Sequence, residues 1–152
     1  MRIRGDARPG RAAFGLPGGH MIVGSGVDVV EIARIERALT RPGDRFARRV
    51  FAQAEIAACR KFRRPSPHFA LRFAIKEAVM KALGTGWANG VRWVDIETVE
   101  QSASVTRPRL ALQFHGRTRE LVDELSASRR HLAVSRTRSH AIALVVFEKA
   151  HL

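Results

Sequence analysis

The sequence predicts an α+β domain in which an antiparallel sheet packs with helices. Helix-like and strand-like segments mix along the chain without the strict alternation of a parallel βαβ fold, and hairpin-like strand pairs cluster in the second half. Apolar residues make up 45% of the 152 positions, which is enough for a hydrophobic core and argues against wholesale disorder. We therefore expect residues 21–152 to form a single domain.

The first half of the chain predicts one strand followed by helices. An apolar, β-branched run at 22–30 predicts the strand, and apolar residues at helical spacing follow over 32–39. Asp44 is placed to cap a short helical turn. Two longer helices are predicted at 52–62 and 68–83, with a proline-rich stretch between them.

The second half predicts four strands and one helix. Strands are expected at 93–99 and 109–114, and a helix at 117–125 follows them. The last two strands, 132–135 and 141–147, are joined by a polar turn. Because the final run is apolar on both faces, we predict that it is the central strand of its sheet.

The chain is strongly basic, with 27 Lys and Arg against 14 Asp and Glu and a formal net charge of +13. Such a charge attracts nucleic acid, an acidic protein, a phosphorylated ligand or a membrane surface, and does not choose among them. No apolar stretch approaches the roughly 18 residues of a membrane span, so we expect no membrane association. Aromatic residues are only 7% and tyrosine is absent, which leaves few stacking platforms for nucleic acid.

The cysteine count and the N-terminal segment bear on the location of the chain and on where its folded part begins. Cys59 is the single cysteine, which excludes an intrachain disulfide and predicts a buried thiol in a reducing, cytoplasmic location. Residues 1–20 carry arginines but no sustained apolar segment, and Met21 follows them. We predict that they form a disordered N-terminal extension, with a basic anchoring arm as the alternative.

Two segments carry residues that can do chemistry. Glu77 and Lys81 are four residues apart on the long predicted helix and share one face, one turn before the Gly84-Thr85-Gly86 loop. A carboxylate for a divalent ion, an ammonium for phosphate oxygens and a close glycine backbone would make a phosphate pocket. Spacing alone favours the alternative, an ordinary solvated ion pair. Asp28 adds a second carboxylate, which either caps the following helix or binds the metal.

These two segments together resemble a known family. They read Gly26-Val27-Asp28-Val29-Val30-Glu31-Ile32 and Arg72-Phe73-Ala74-Ile75-Lys76-Glu77-Ala78-Val79-Met80-Lys81. The chain resembles holo-[acyl-carrier-protein] synthase, the small bacterial type of 4′-phosphopantetheinyl transferase, from Met21 to Glu148. The resemblance implies transfer of 4′-phosphopantetheine from coenzyme A to a serine of apo acyl carrier protein, with release of adenosine 3′,5′-bisphosphate, in support of fatty acid synthesis.

The resemblance also implies a role for each site residue. Asp28 and Glu77 would bind Mg²⁺, and Lys81 would contact the transferred phosphate. The serine proton would go either to Glu77 or to a metal-bound water. The residues implied to bind coenzyme A are Arg72, Lys81, Gly84, Thr85, Gly86 and Arg136. Those implied to contact the acidic carrier protein are Arg34, Arg45 and Phe46.

One position departs from the family pattern. The family has two histidines in its penultimate strand, and this chain keeps His131 but has Arg136 at the second position. Arginine can bind a phosphate through two parallel hydrogen bonds but cannot act as a neutral acceptor. His140 is expected in a turn or an interface rather than at the chemistry.

Members of the family are homotrimers with active sites between subunits, so we expect a homotrimer and an apolar surface patch. Two other functions stay open at this point. One is a related transferase that serves a carrier domain of a polyketide or peptide synthetase. The other is a basic nucleic-acid-binding protein, although no nucleic-acid partner is expected under the favoured interpretation.

Overall fold

The computed structural model describes residues 19–86, 89–101 and 109–150, and residues 1–18 of the predicted extension lie outside these ranges. The predicted α+β class is confirmed. The strands are β1 (His20–Glu31), β2 (Ile96–Gln101), β3 (Arg109–Phe114), β4 (Arg129–Arg136) and β5 (His140–Ala150). The helices are α1 (Ile32–Leu39), α2 (Arg45–Val50), α3 (Gln53–Arg60), α4 (Ser66–Leu83) and α5 (Gly116–Glu124).

The strands form two antiparallel sheets. One has the order β1-β5-β4, and the other pairs β2 with β3. The final apolar run therefore is a central strand, as predicted. Its residues Ala141, Ala143, Val145 and Phe147 are buried, and β5 contacts α4. The hydrophobic core lies between this face of the sheet and the helix.

Helix α4 is the central helix of the molecule. It starts two residues earlier than predicted, because Pro65 and Pro67 lie before and inside its first turn, where proline is tolerated. Gly84 ends it with a left-handed backbone at φ 69°, as the sequence predicts. No helix in the described ranges, α4 included, is both long and apolar enough to cross a membrane.

Gly24 and Gly26 allow α4 to lie directly against β1. A Cβ atom at Gly26 would collide with the main-chain carbonyl of Ala78, and one at Gly24 would collide with that of Ala82. We call these two glycines the glycine seam. Because no side chain separates helix from strand there, the last turn of α4 reaches β1 with the side chain of Lys81.

We expect Gly26→Ala to lower the free energy of unfolding by about 1–3 kcal/mol, because the added methyl group has no room between β1 and α4. Urea denaturation measures this loss. Ser25→Ala is the matched control, since the exposed Ser25 side chain points to the other face of the strand. Equal stability of Gly26→Ala and the unchanged protein would contradict the close packing described here.

Two local predictions were wrong. Asp44 does not cap α2, because its own backbone is left-handed at φ 53° and its carboxylate accepts a 2.6 Å hydrogen bond from Arg60 instead. This bond lowers the pKa of Asp44. The strand predicted at 93–99 begins as a 3₁₀ turn over Trp93–Asp95, and β2 starts only at Ile96. Both carboxylate oxygens of Asp95 accept hydrogen bonds from Arg92, which closes the turn.

Candidate active site

Asp28 lies on the face of β1 that α4 covers. Its register partner on β5 is the buried Ala143, and only 16% of its side chain is exposed. Helix α1 begins four residues later at Ile32, and no side chain caps it. The capping role considered for Asp28 is therefore not what the structure shows. The carboxylate instead points to the last turn of α4.

Lys81 makes the contact that joins α4 to this strand. Its Nζ donates to Asp28 Oδ1 at 2.8 Å and to the main-chain oxygen of Val27 at 2.9 Å. Asp28 and Lys81 are far apart in sequence, so the glycine seam is what brings them together. The solvated Glu77–Lys81 pair that spacing alone favours is not formed, because the ammonium of Lys81 is taken by Asp28.

Glu77 lies one turn earlier on α4 and is half-buried. Burial raises the pKa of its carboxyl group, and the nearby negative charge of Asp28 raises it further. The positive charges of Lys81 and Arg34 act in the opposite direction. Two carboxylates and two cations, drawn from β1, α4 and α1, therefore share one local electrostatic environment.

The loop after α4 borders the same end of the helix. Gly84 and Gly86 have positive φ angles of 69° and 52°, which bend the chain sharply and suit glycine. Between them, Thr85 Oγ1 is buried without a hydrogen-bond partner among the described residues. A hydroxyl in that position can donate to a ligand oxygen, so all three residues stay candidates for a phosphate-binding loop.

The site fits a hard divalent cation such as Mg²⁺. Within the described ranges, no group of three or more His, Cys, Asp and Glu side chains is arranged to hold a metal. In the metal role predicted for them, Asp28 and Glu77 would be its two protein ligands, a number that suits Mg²⁺ because it keeps several waters and takes the rest of its ligands from phosphate. Burial and the charge of Asp28 both disfavour the ionised form of Glu77, and a bound cation would offset this cost.

Arg72 and Arg136, which were both predicted to bind coenzyme A, differ in exposure, although the charges of both act on His68. Arg72 is buried, and its Nη2 atom lies 3.2 Å from Glu100 Oε1. Its role towards coenzyme A stays a prediction. Arg136 is exposed at the end of β4 and lines an open cavity of about 660 Å³. This cavity was not predicted from the sequence.

The cavity is basic and carries a stacked pair of rings. Its cationic and aromatic lining comprises Phe62, Arg63, Arg64, His68, Arg136 and Arg138. The ring of His68 lies flat on that of Phe62, with centroids 3.5 Å apart and planes at 8°. Burial and the charge of Arg136 lower the pKa of His68. The consecutive arginines Arg63 and Arg64 are the sequence feature that could have indicated a basic cavity, but the fold is needed to place them beside β4.

The predicted carrier-protein residues lie on α1 and α2, two helices that contact each other. Arg34 and Arg45 are exposed. Phe46 is half-buried, and its ring packs against those of Phe51 and Phe73, each with centroids 6.0 Å away. Phe46 therefore supports the core on one side, and its contact with a partner stays a prediction.

A buried ion pair was also not predicted from the sequence. Lys76, next to Glu77, is fully buried, and its Nζ lies 2.7 Å from Glu55 Oε2. It also donates to the main-chain oxygens of Trp93 and Ile96. Burial lowers the pKa of Lys76, and Glu55 opposes this. The sequence feature that could have indicated this pair is a charged residue, Lys76, in the middle of a helix that is apolar nearly all round.

Two smaller predictions concern Cys59 and His140. Cys59 is buried as expected, and burial raises the pKa of its thiol to about 11, which makes it a poor nucleophile. His140 lies at the β4–β5 turn, where its main-chain N donates to Thr137 Oγ1. Neither residue joins the cluster around Asp28.

Comparison with known proteins gives a consistent result. The sequence model of the 4′-phosphopantetheinyl transferase superfamily matches residues 24–145. The chain is 42% identical over 128 residues to holo-[acyl-carrier-protein] synthase of Koribacter versatilis, which covers 84% of this chain and 99% of that protein. It is 45% identical over 131 residues to the synthase of Alkalilimnicola ehrlichii, covering 86% and 99%.

Solved structures resemble the fold as well. The holo-(acyl-carrier-protein) synthase of Bacillus anthracis, in complex with CoA (3′,5′-ADP), has a TM-score of 0.68 and 32% identity, covering 85% of this chain and 98% of its own. The synthase of Neisseria meningitidis has a TM-score of 0.73 and 29% identity, covering 87% and 100%.

Proposed function

Because the chain belongs to the 4′-phosphopantetheinyl transferase superfamily, we propose that it transfers 4′-phosphopantetheine from coenzyme A to a serine of apo acyl carrier protein. The observation that carries this proposal is the meeting of Asp28, Glu77 and Lys81 beside a glycine loop. The carrier protein of fatty acid synthesis is the proposed acceptor, and the cytoplasm is the proposed location.

The reaction is a phosphoryl transfer. The serine oxygen forms a bond to the β-phosphorus of coenzyme A, the bond from that phosphorus to the bridging oxygen breaks, and adenosine 3′,5′-bisphosphate leaves. Enzymes accelerate such reactions mainly by positioning the groups and by stabilising charge. Mg²⁺ held by Asp28 and Glu77 would neutralise charge on the pyrophosphate oxygens.

The chain's own residues supply the other parts. Lys81 offers an ammonium to the phosphate at the end of α4, and the loop at 84–86 offers main-chain amides. Glu77 is half-buried with a raised pKa, so it is suited to accept the serine proton, directly or through a water. The arginines and stacked rings of the basic cavity would take the nucleotide end, where Arg136 can bind a phosphate.

The direct test is incubation with coenzyme A, Mg²⁺ and an apo acyl carrier protein, followed by intact mass measurement. We expect the carrier protein to gain the mass of one phosphopantetheine group, and a Ser→Ala variant of the carrier at the acceptor position to gain none. A carrier protein of unchanged mass would reject the proposal. Parallel reactions with carrier domains of polyketide and peptide synthetases test the related transferase.

Acidic carrier protein would dock on the exposed arginines of α1 and α2. We expect binding to weaken as salt rises, and Arg34→Ala to weaken it about tenfold, because a lost hydrogen bond to a charged group costs about 1.5 kcal/mol. Isothermal titration with the carrier protein measures both effects. Arg119→Ala on α5 is the control, since Arg119 faces Asp123 there. Tighter binding to duplex DNA than to the carrier protein would favour the nucleic-acid alternative.

A homotrimer is part of the proposal, and the outer face of the β1-β5-β4 sheet supports it. This face carries apolar side chains in register, with Val27 and Val29 on β1 beside Leu144 and Ile142 on β5. Val27 is 53% exposed and Val29 57%. A contiguous apolar surface of this kind marks an interaction site, and further copies of the chain are the proposed occupants.

We expect the protein to behave in light scattering as three copies, and Val29→Asp to dissociate it, because each copy would then place a carboxylate in an apolar interface. Val134→Asp is the control, since Val134 is an exposed valine on the opposite face of the sheet. A monomeric unchanged protein, or a Val29→Asp variant that stays assembled, would contradict this assignment of the face.

A further inference from the structure

The ammonium of Lys81 lies between two oxygen atoms of β1. It donates to a carboxylate oxygen of Asp28 at 2.8 Å and to the main-chain oxygen of Val27 at 2.9 Å. Carboxylate and main-chain oxygens are also the ligand types that hard divalent cations take. Lys81 thus binds one oxygen of the carboxylate group that a metal ion would also bind.

The other carboxylate of the site has no such partner. Glu77 forms no ion pair or side-chain hydrogen bond among the described residues, although it is half-buried and feels the charge of Asp28. The ammonium of Lys81 therefore bonds to Asp28 and Val27 but not to Glu77, although its charge acts on Glu77. A divalent cation shared by both carboxylates would satisfy Glu77, but at Asp28 it would meet the positive charge of Lys81 at short range.

We propose that Lys81 and the divalent cation compete for Asp28, and that the phosphates of coenzyme A release the lysine by offering it another anion. This inference rests on the metal and substrate roles proposed above. Half of the Lys81 side chain is exposed, with 52% of its surface accessible, so it is free to turn from Asp28 to a ligand. Phosphate oxygens are strong acceptors for an ammonium group.

Because of this exchange, the binding of the metal ion and the binding of coenzyme A depend on each other. While Lys81 holds Asp28, the cation binds weakly, and each ligand strengthens the binding of the other by the same factor. Part of this coupling comes from phosphate oxygens that ligate the cation directly. The part that comes from Lys81 disappears when its charge is removed, which separates the two contributions.

Mn²⁺ titration tests the exchange, with free Mn²⁺ followed by electron paramagnetic resonance at one pH and ionic strength. The unchanged protein and Lys81→Met are compared with and without coenzyme A. Without coenzyme A, we expect Lys81→Met to bind Mn²⁺ roughly tenfold more tightly, within the ~5–150-fold range of typical couplings. Coenzyme A should then tighten Mn²⁺ binding less in Lys81→Met than in the unchanged protein.

Two control variants sharpen the experiment. Arg34→Met removes a positive charge that also acts on Glu77 but makes no bond to Asp28, so we expect a much smaller gain in Mn²⁺ affinity. Asp28→Asn should abolish binding. Lys81→Gln repeats the test if Lys81→Met is poorly folded by circular dichroism.

The outcomes distinguish this inference from the function on which it rests. Equal Mn²⁺ affinity of Lys81→Met and the unchanged protein without coenzyme A would overturn the competition, while leaving the metal site in place. Equal gains in Lys81→Met and Arg34→Met would overturn it too, because the effect would then be a general one of net charge. Failure of every variant to bind Mn²⁺, even with coenzyme A, would reject the metal role of the site itself.

Discussion

Glu77→Gln is expected to reduce phosphopantetheine transfer at least 100-fold, the size of loss seen when one group that stabilises the transition state is removed. The amide keeps the shape of the side chain but supplies neither a negative ligand for the cation nor an acceptor for the serine proton. Initial rates of mass gain on apo acyl carrier protein measure the loss. The fold should survive, and stability should stay equal or rise.

The expected sign for stability follows from the pKa of Glu77. Burial and the charge of Asp28 raise this pKa, so the folded protein disfavours the charged carboxylate and gains when a neutral amide replaces it. Glu120→Gln is the control, since Glu120 is exposed on α5 and pairs with Arg117. Unchanged transfer by Glu77→Gln would reject its assignment as a metal ligand.

Lys76→Met is expected to lower the free energy of unfolding by about 3–5 kcal/mol, because it leaves the carboxylate of Glu55 buried without its counter-charge. Glu55 would keep its hydrogen bonds from Ala52 and Thr98. Two main-chain oxygens, of Trp93 and Ile96, would lose their donor. Urea denaturation monitored by tryptophan fluorescence measures the change.

A second variant shows whether the unpaired charge is the cause. Combining Lys76→Met with Glu55→Gln removes both charges, and we expect it to recover part of the lost stability. Lys61→Met is the control, because Lys61 is exposed and its replacement should change stability by less than about 0.5 kcal/mol. A loss below about 1 kcal/mol in Lys76→Met would show that the buried pair contributes little.

The sequence predicted the regular elements well where a strong local signal exists. Strand β3 has the predicted limits, and Gly84 ends α4 as expected. The apolar character of both faces identified β5 as a central strand. The errors fall where a tertiary contact overrides a local preference. Asp44 bonds to the distant Arg60 rather than capping its own helix.

The site could be predicted only in part, because its residues meet through the fold. Asp28 was equally compatible with a helix cap and a metal ligand, and no local pattern separates the two. The structure shows no side-chain cap on α1, and it places Asp28 against Lys81 through the packing of α4 on Gly26, while the metal role of Asp28 stays a prediction. The basic cavity likewise joins the stretch before α4 to Arg136, and no spacing along the sequence reveals that neighbourhood.

The glycine seam has a consequence for how such a protein can diverge. At this contact main-chain atoms, rather than interlocking side chains, set how near α4 comes to β1. The distance between Asp28 and Lys81 therefore depends little on the exact volumes of the surrounding apolar residues. Relatives can exchange much of their interior over evolutionary time and keep the same spacing between α4 and β1, provided that the two glycines remain.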